Sequence, residues 1–145
     1  MTGEPPVHAS TVAIRRRGEW AGVAILGPSG AGKSDLALRL IGRGWRLVSD
    51  DYTELAESAG HLIASAPATI AGQIEVRGVG IVAMPAASPC PVALLVRAGT
   101  PERMPEPATC AMAGVAVPVI VLPLLESSAP IKVELSLRNL KQTPA

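Results

Sequence analysis

Apolar residues in this chain come in short runs, broken by glycine, proline and charged clusters, and the period of the runs changes along the chain. Val7-His8-Ala9-Ser10-Thr11-Val12-Ala13-Ile14 predicts a strand. Arg15-Arg16-Arg17-Gly18-Glu19-Trp20 predicts a hairpin connection that returns into the run Gly22-Val23-Ala24-Ile25-Leu26. Over residues 34–41 the period becomes helical, with Leu36, Ala37, Leu40 and Ile41 on one side. Gly42 and Gly44 end that helix, and Arg43 suits its negative end. Trp45-Arg46-Leu47-Val48-Ser49 is the next strand, and it delivers Asp50 and Asp51. Residues 53–56 and 62–64, joined at Ser58-Ala59-Gly60, predict a small antiparallel hairpin. Residues 66–72 form a connector with room for one helical turn.

Strict alternation returns at Ile74-Glu75-Val76-Arg77, which puts Glu75 and Arg77 on one face and the aliphatic pair on the other. Gly78 and Gly80 then relax the backbone, as a bulge or a close approach requires. Glu75 and Arg77 suit either a local ion pair or a metal-and-phosphate constellation. Residues 92–96 read as a buried strand, and residues 99–107 as a proline-rich loop in which Arg103 is by default a surface arginine. Strand character resumes over 115–123, where Pro118 and Pro123 argue for an edge or a bulge. Residues 129–140 predict a helix, with Ser128 placed to cap it and Pro130 tolerated in its first turn. With no repeat and no second run of elements, residues 1–145 are expected to form a single domain, with an ordered core over 7–141 and tails at 1–6 and 142–145.

Composition narrows the function. The 145 residues carry 17% charged side chains and a net charge of +1, so nothing points to nucleic acid or a membrane. There is no Phe, and Trp20, Trp45 and Tyr52 are the aromatic residues, so the core must be aliphatic and stacking platforms for single-stranded nucleic acid are missing. Cys90 and Cys110 lack zinc-ligand spacing. The N-terminus lacks the charge-then-apolar order of a signal peptide, and the apolar stretch 115–125 is too short and too interrupted to span a bilayer. A cytoplasmic protein is expected.

The chemistry centres on Gly27-Pro28-Ser29-Gly30-Ala31-Gly32-Lys33-Ser34, which matches the phosphate-loop pattern G-x-x-x-x-G-K-[ST] between a predicted strand and a predicted helix. Glycines let backbone N–H groups curl around an anion, and the helix N-terminus adds donors and partial positive charge. Lys33 would reach the outer phosphates, and the Ser34 hydroxyl would take a place on Mg²⁺. The bland alternative is a flexible Gly/Ser turn, but a chance match in a chain of this size is roughly a 1% event. Asp50 and Asp51 stand where such enzymes hold Mg²⁺. In an extended backbone they would point to opposite faces, one toward the metal and one toward the acceptor. A solvated strand end is the alternative. His8 gains weight because the hairpin returns it beside the phosphate loop.

Two stretches resemble one family. The phosphate loop continuing through Asp35-Leu36-Ala37-Leu38 and Arg43-Gly44-Trp45-Arg46-Leu47-Val48-Ser49-Asp50-Asp51, together with Ile74-Glu75-Val76-Arg77-Gly78-Val79-Gly80-Ile81, is similar to the catalytic domain of HPr kinase/phosphorylase. The likeness runs from about His8 to Ile81 and thins thereafter. It implies an α/β fold: a P-loop kinase domain of the HPr kinase type, with a mixed twisted sheet, flanking helices and an N-terminal hairpin. It implies a short form without the family's N-terminal domain, using ATP and Mg²⁺ to phosphorylate a serine of an HPr-type phosphocarrier of the bacterial phosphotransferase system. By the resemblance, Lys33 binds the transferring phosphate, Asp51 is the catalytic base, and Ser34, Asp50 and Glu75 are metal-associated. His8 matches a catalytic histidine, Arg103 a catalytic arginine, and Arg77 or Arg103 offsets transition-state charge. A homo-oligomer is expected, although shortened C-terminal helices weaken a hexamer. The family's Pro-Gly-Arg loop, tied to the reverse phosphorylase reaction, has no arginine counterpart over 119–128. Two other readings stay open: a small-molecule kinase on the same scaffold, and a non-catalytic ATP-sensing module.

Overall fold

Strand β1 (Ala9–Arg16) and strand β2 (Glu19–Leu26) form an antiparallel hairpin in unbroken register, from Ala9 opposite Leu26 to Arg16 opposite Glu19. The connection is shorter than the sequence suggests. It is Arg17-Gly18 alone, both at positive φ (54° and 80°), the two-residue turn whose twist matches the flanking strands. Arg15 and Arg16 therefore belong to β1, and Trp20 to β2. This is a computed structural model, and it describes residues 5–140. Apart from Pro5 and Pro6, the expected tails lie outside the described residues.

After α1 (Lys33–Ile41), the chain forms β3 (Arg46–Ser49), the hairpin β4 (Glu54–Ser58) and β5 (His61–Ser65), and a single 3-10 turn at Ala68–Ile70. Then come β6 (Gln73–Val76), β7 (Gly80–Ala83), β8 (Cys90–Ala98), β9 (Ala108–Met112), β10 (Val115–Leu122) and α2 (Ala129–Leu140). The main sheet runs β3-β1-β2-β8-β10-β9, with the β4–β5 hairpin joined to β8 through β5. β2, β8 and β10 are mutually parallel, while β1 and β9 are antiparallel to their neighbours. β6 and β7 form a separate two-stranded ribbon. The mixed sheet with flanking helices is the architecture expected.

Three details differ from the sequence reading. β10 is interior, not an edge: it lies between β8 and β9. Its prolines are tolerated because the β8 ladder begins at Val119, one residue beyond Pro118, and because Pro123 follows the last strand residue. β9 gave no signal, since Ala-Thr-Cys-Ala-Met is short and half exposed. Gly78 and Gly80 make a hairpin turn rather than a close approach. Both have positive φ (85° and 121°), and a Cβ added at either would meet nothing within 4 Å. A close approach does occur at Gly22, where a Cβ would fall 2.7 Å from the Pro91 carbonyl oxygen, at the register shift between β2 and β8.

The central strands divide their side chains between two faces. Val12, Val23, Ile25, Leu94 and Val96 meet Leu36, Ala37 and Leu40 of α1 and Val133 and Leu137 of α2. Ala13, Ala24 and Leu95 meet Leu55, Leu62 and Ala64 of the β4–β5 hairpin. Each fully buried aliphatic side chain stabilises the fold by about 1.5–3 kcal/mol, which is how a core without Phe is sustained. Burial also pushes the Cys90 thiol up to about 11, leaving it protonated and unreactive at neutral pH.

Trp45, 2% exposed, anchors the turn after α1. Its indole N–H donates to Glu134 Oε2 at 3.1 Å, and Arg43 donates to both Glu134 oxygens, at 3.0 and 2.6 Å. Arg43 thus serves α2 more than the end of its own helix. The Arg43 hydrogen bond holds the Glu134 carboxyl below the usual carboxylate range; burial opposes it and the indole bond assists it. A depressed folded value contributes stability above the unfolded carboxylate range, and that contribution is lost as pH falls through the folded value. Glu134→Gln should lower Tm by about 2 °C at neutral pH, with the gap closing in acid. Thermal melts of both proteins between neutral pH and pH 3 check this, and a gap independent of pH would show that charge is not the cause.

Candidate active site

The three parallel strands end at one edge of the sheet, the position where open α/β sheets bind ligands. β2 runs into the phosphate loop, β8 into the loop 99–107, and β10 into residues 123–128. Gly30 and Gly32 take positive φ (85° and 102°), and a Cβ at Gly30 would meet nothing, so its backbone lies bare. Gly27 is needed for a different reason: a Cβ there would fall 2.8 Å from that of Ala98. Gly32 is the N-cap of α1 and provides no side-chain cap, so the first N–H groups of α1 are not taken by one.

Lys33 is 5% exposed. Its ammonium donates to the Pro28 carbonyl at 3.0 Å, inside the loop. Among the described residues no carboxylate forms an ion pair with it. A buried cation without a counter-charge costs several kcal/mol, which an anionic ligand would offset.

The two aspartates are arranged differently from the expected alternation. β3 ends at Ser49, and Asp51 takes a left-handed φ of 69°, so the chain turns instead of continuing extended. Both residues consequently line the same cavity. Asp50, 6% exposed, is held on three sides. Its Oδ1 accepts from the hydroxyls of Ser34 (2.5 Å) and Ser10 (3.1 Å), and its Oδ2 from the Glu75 backbone N–H (3.1 Å). Asp51 is half-exposed, and its Oδ1 lies 2.7 Å from His8 Nε2. The His8 ring stacks on Tyr52, with centroids 5.1 Å apart.

The cavity measures about 490 Å³, within the range of small-molecule sites. Of the expected residues, Ser29, Gly30, Gly32, Lys33 and Ser34 form its loop side. Asp50, Asp51, Glu75 and Arg77 form the facing wall. Glu75 and Arg77 make no ion pair with each other among the described residues, so the local-pair alternative falls away. Gly27, Pro28 and Ala31 belong to the loop but do not line the cavity. His8 reaches the site through Asp51. Arg103 is not brought in: it is exposed in the loop 99–107 and does not line the cavity.

Sequence reading missed two contributors. Leu125, 63% exposed, lies across Gly32 at the rim, and Arg39 pins that segment through the Leu124 and Glu126 carbonyls. Ser10 is the other. Its signal was a hydroxyl within an apolar strand, where burial demands a hydrogen-bond partner. Among the described residues no three His, Cys, Asp or Glu side chains converge to hold a metal ion. The donors at hand, the Ser34 hydroxyl and the Asp50 carboxylate, are hard oxygens suited to Mg²⁺, which takes few protein ligands and completes its shell with phosphate and water.

Residues 3–87 match the family model of the HPr Serine kinase C-terminal domain. The chain is 52% identical over 64 residues to the HPr kinase/phosphorylase of Clostridium tetani, a match covering 44% of this chain and 21% of that protein. It is 48% identical over 65 residues to the enzyme of the same name from Clostridium acetobutylicum, covering 45% and 21%. The chain thus spans about a fifth of the length of these curated relatives. The solved structure of the Hpr(Ser) kinase/phosphatase from Coxiella burnetii superposes with a TM-score of 0.77 at 30% identity, covering 96% of this chain and 97% of that one. No helix among the described residues is long and apolar enough to cross a membrane.

Proposed function

This chain belongs to the family of the HPr serine kinase C-terminal domain, and we propose that it transfers the γ-phosphoryl group of ATP to a serine of an HPr-type phosphocarrier. The observation that carries this reading is Lys33: a buried ammonium that, among the described residues, is hydrogen-bonded within its own loop and faces a cavity that also holds two aspartates. The loop N–H groups cradle the β- and γ-phosphates, and Lys33 draws charge from the γ-phosphate. Ser34 and Asp50, with Glu75 beside them, would hold Mg²⁺, whose chemistry there is to neutralise phosphate charge.

The acceptor serine hydroxyl attacks the γ-phosphorus, its O–P bond forms, and the bond to the bridging oxygen of ADP breaks. Asp51 takes the hydroxyl proton late in this step, and His8 keeps its carboxylate aimed. Arg77 on the cavity wall offsets transition-state charge; Arg103, outside the cavity, is the second candidate for that role. We assign the forward direction, because residues 119–128 contain no arginine to assist phosphorolysis. Homo-oligomerisation and a cytoplasmic setting belong to the same reading and rest on the family alone.

Incubation with γ-labelled ATP, Mg²⁺ and candidate phosphocarriers, followed by mass spectrometry, should yield phosphoserine on a carrier. Label passing to a metabolite panel instead would identify a small-molecule kinase. Nucleotide binding without transfer to either would leave a sensing module.

A further inference from the structure

We propose that Ser10 is a positioning residue that sets the two aspartates relative to each other; the inference rests on the phosphoryl-transfer reading above. Ser10 lies in β1, opposite Ile25 of β2, which stands two residues before Gly27 of the loop. It is 0% exposed. Its hydroxyl works in both directions. The O–H donates to Asp50 Oδ1 at 3.1 Å, and the oxygen accepts the Asp51 backbone N–H, also at 3.1 Å. One atom therefore holds the carboxylate of Asp50 and the main chain of Asp51.

The second bond matters because Asp51 sits at a left-handed φ of 69°, a conformation that aspartate takes more readily than most residues and that a bond to its own N–H helps to fix. Without the hydroxyl, the Asp51 N–H loses its partner and Asp50 keeps two of its three donors. Asp50 Oδ1 would then be oriented by Ser34 alone, the residue that must also serve the metal. The side chain of Asp51, half-exposed and tied to His8, would lose its backbone reference. Ser10 touches neither phosphate nor acceptor in this scheme and works through the two carboxylates.

The test compares Ser10→Ala, Ser10→Cys and Ser10→Thr with the wild type in steady-state transfer and in the Mg²⁺ dependence of binding of a non-hydrolysable ATP analogue. Ser10→Ala and Ser10→Cys should lower kcat about ten- to a hundred-fold, the weight of a hydrogen bond to a charged group, with KM for nucleotide nearly unchanged. Half-saturating Mg²⁺ for analogue binding should rise in both. Ser10→Thr restores the hydroxyl and should recover most of kcat. If Ser10→Ala fails to fold, the contrast between the near-isosteric Cys and the Thr variant decides. Wild-type kcat in the Cys variant, or equal impairment in Thr and Cys, overturns the proposal. Absence of transfer by the wild-type protein would instead count against the kinase reading.

Discussion

Lys33→Met is expected to lower phosphoryl transfer by about a hundred- to a thousand-fold or more, the loss that follows removal of one preorganised charge at a reacting centre. Stability should move the other way. The Lys33 ammonium is buried, its single hydrogen bond is to the Pro28 carbonyl, and no carboxylate balances it among the described residues. A methionine of similar shape removes the desolvation cost and should raise the Tm of the ligand-free protein by about 2–4 °C. Saturating nucleotide should raise the Tm of the wild type by about 5–10 °C, and the variant should lose most of that rise. Thermal melts with and without nucleotide, paired with the transfer assay, read both effects. A variant that keeps transfer, or is destabilised without ligand, would show that Lys33 is a structural residue.

Asp51→Asn should separate chemistry from binding. The cavity places Asp51 beside the loop but outside the backbone cradle, so nucleotide affinity should stay within about twofold of the wild type. Loss of the proposed base should lower kcat by about 10²–10⁴-fold. Asparagine is the informative replacement because it tolerates the left-handed φ of 69° and can still hydrogen-bond to His8. An alanine would mix backbone strain into the result. Carrier phosphorylation at the wild-type rate in the Asn variant would remove Asp51 from the role of base.

Some of the molecule was legible in short windows of residues. The phosphate loop, the strand before it and the helix after it follow from glycine placement and a change of apolar period within about 20 residues. α2 was readable over its full span because Ser128 and Pro130 mark its start. The resemblance over residues 8–81 likewise rests on contiguous stretches, and the family match over residues 3–87 covers the same ground. The failures share a cause. β9 is five residues long and rich in alanine, a poor strand former, so it did not register, and β10 read as an edge or a bulge because proline signals a missing N–H without saying which side of the strand needs it.

From the sequence alone came the glycine-rich loop between β2 and α1, the aspartates after β3 and the aliphatic α/β core, because each is set by backbone conformation or side-chain period among near neighbours. The fold decided how the site closes. Ser10 meets Asp50 across 40 positions, His8 meets Asp51 across 43, and the Glu75 amide meets Asp50 across 25. Those partners depend on which strands lie side by side and on one left-handed residue after β3. Strand adjacency and turn conformation are settled by burial of both sheet faces together, a condition no local stretch of chain contains.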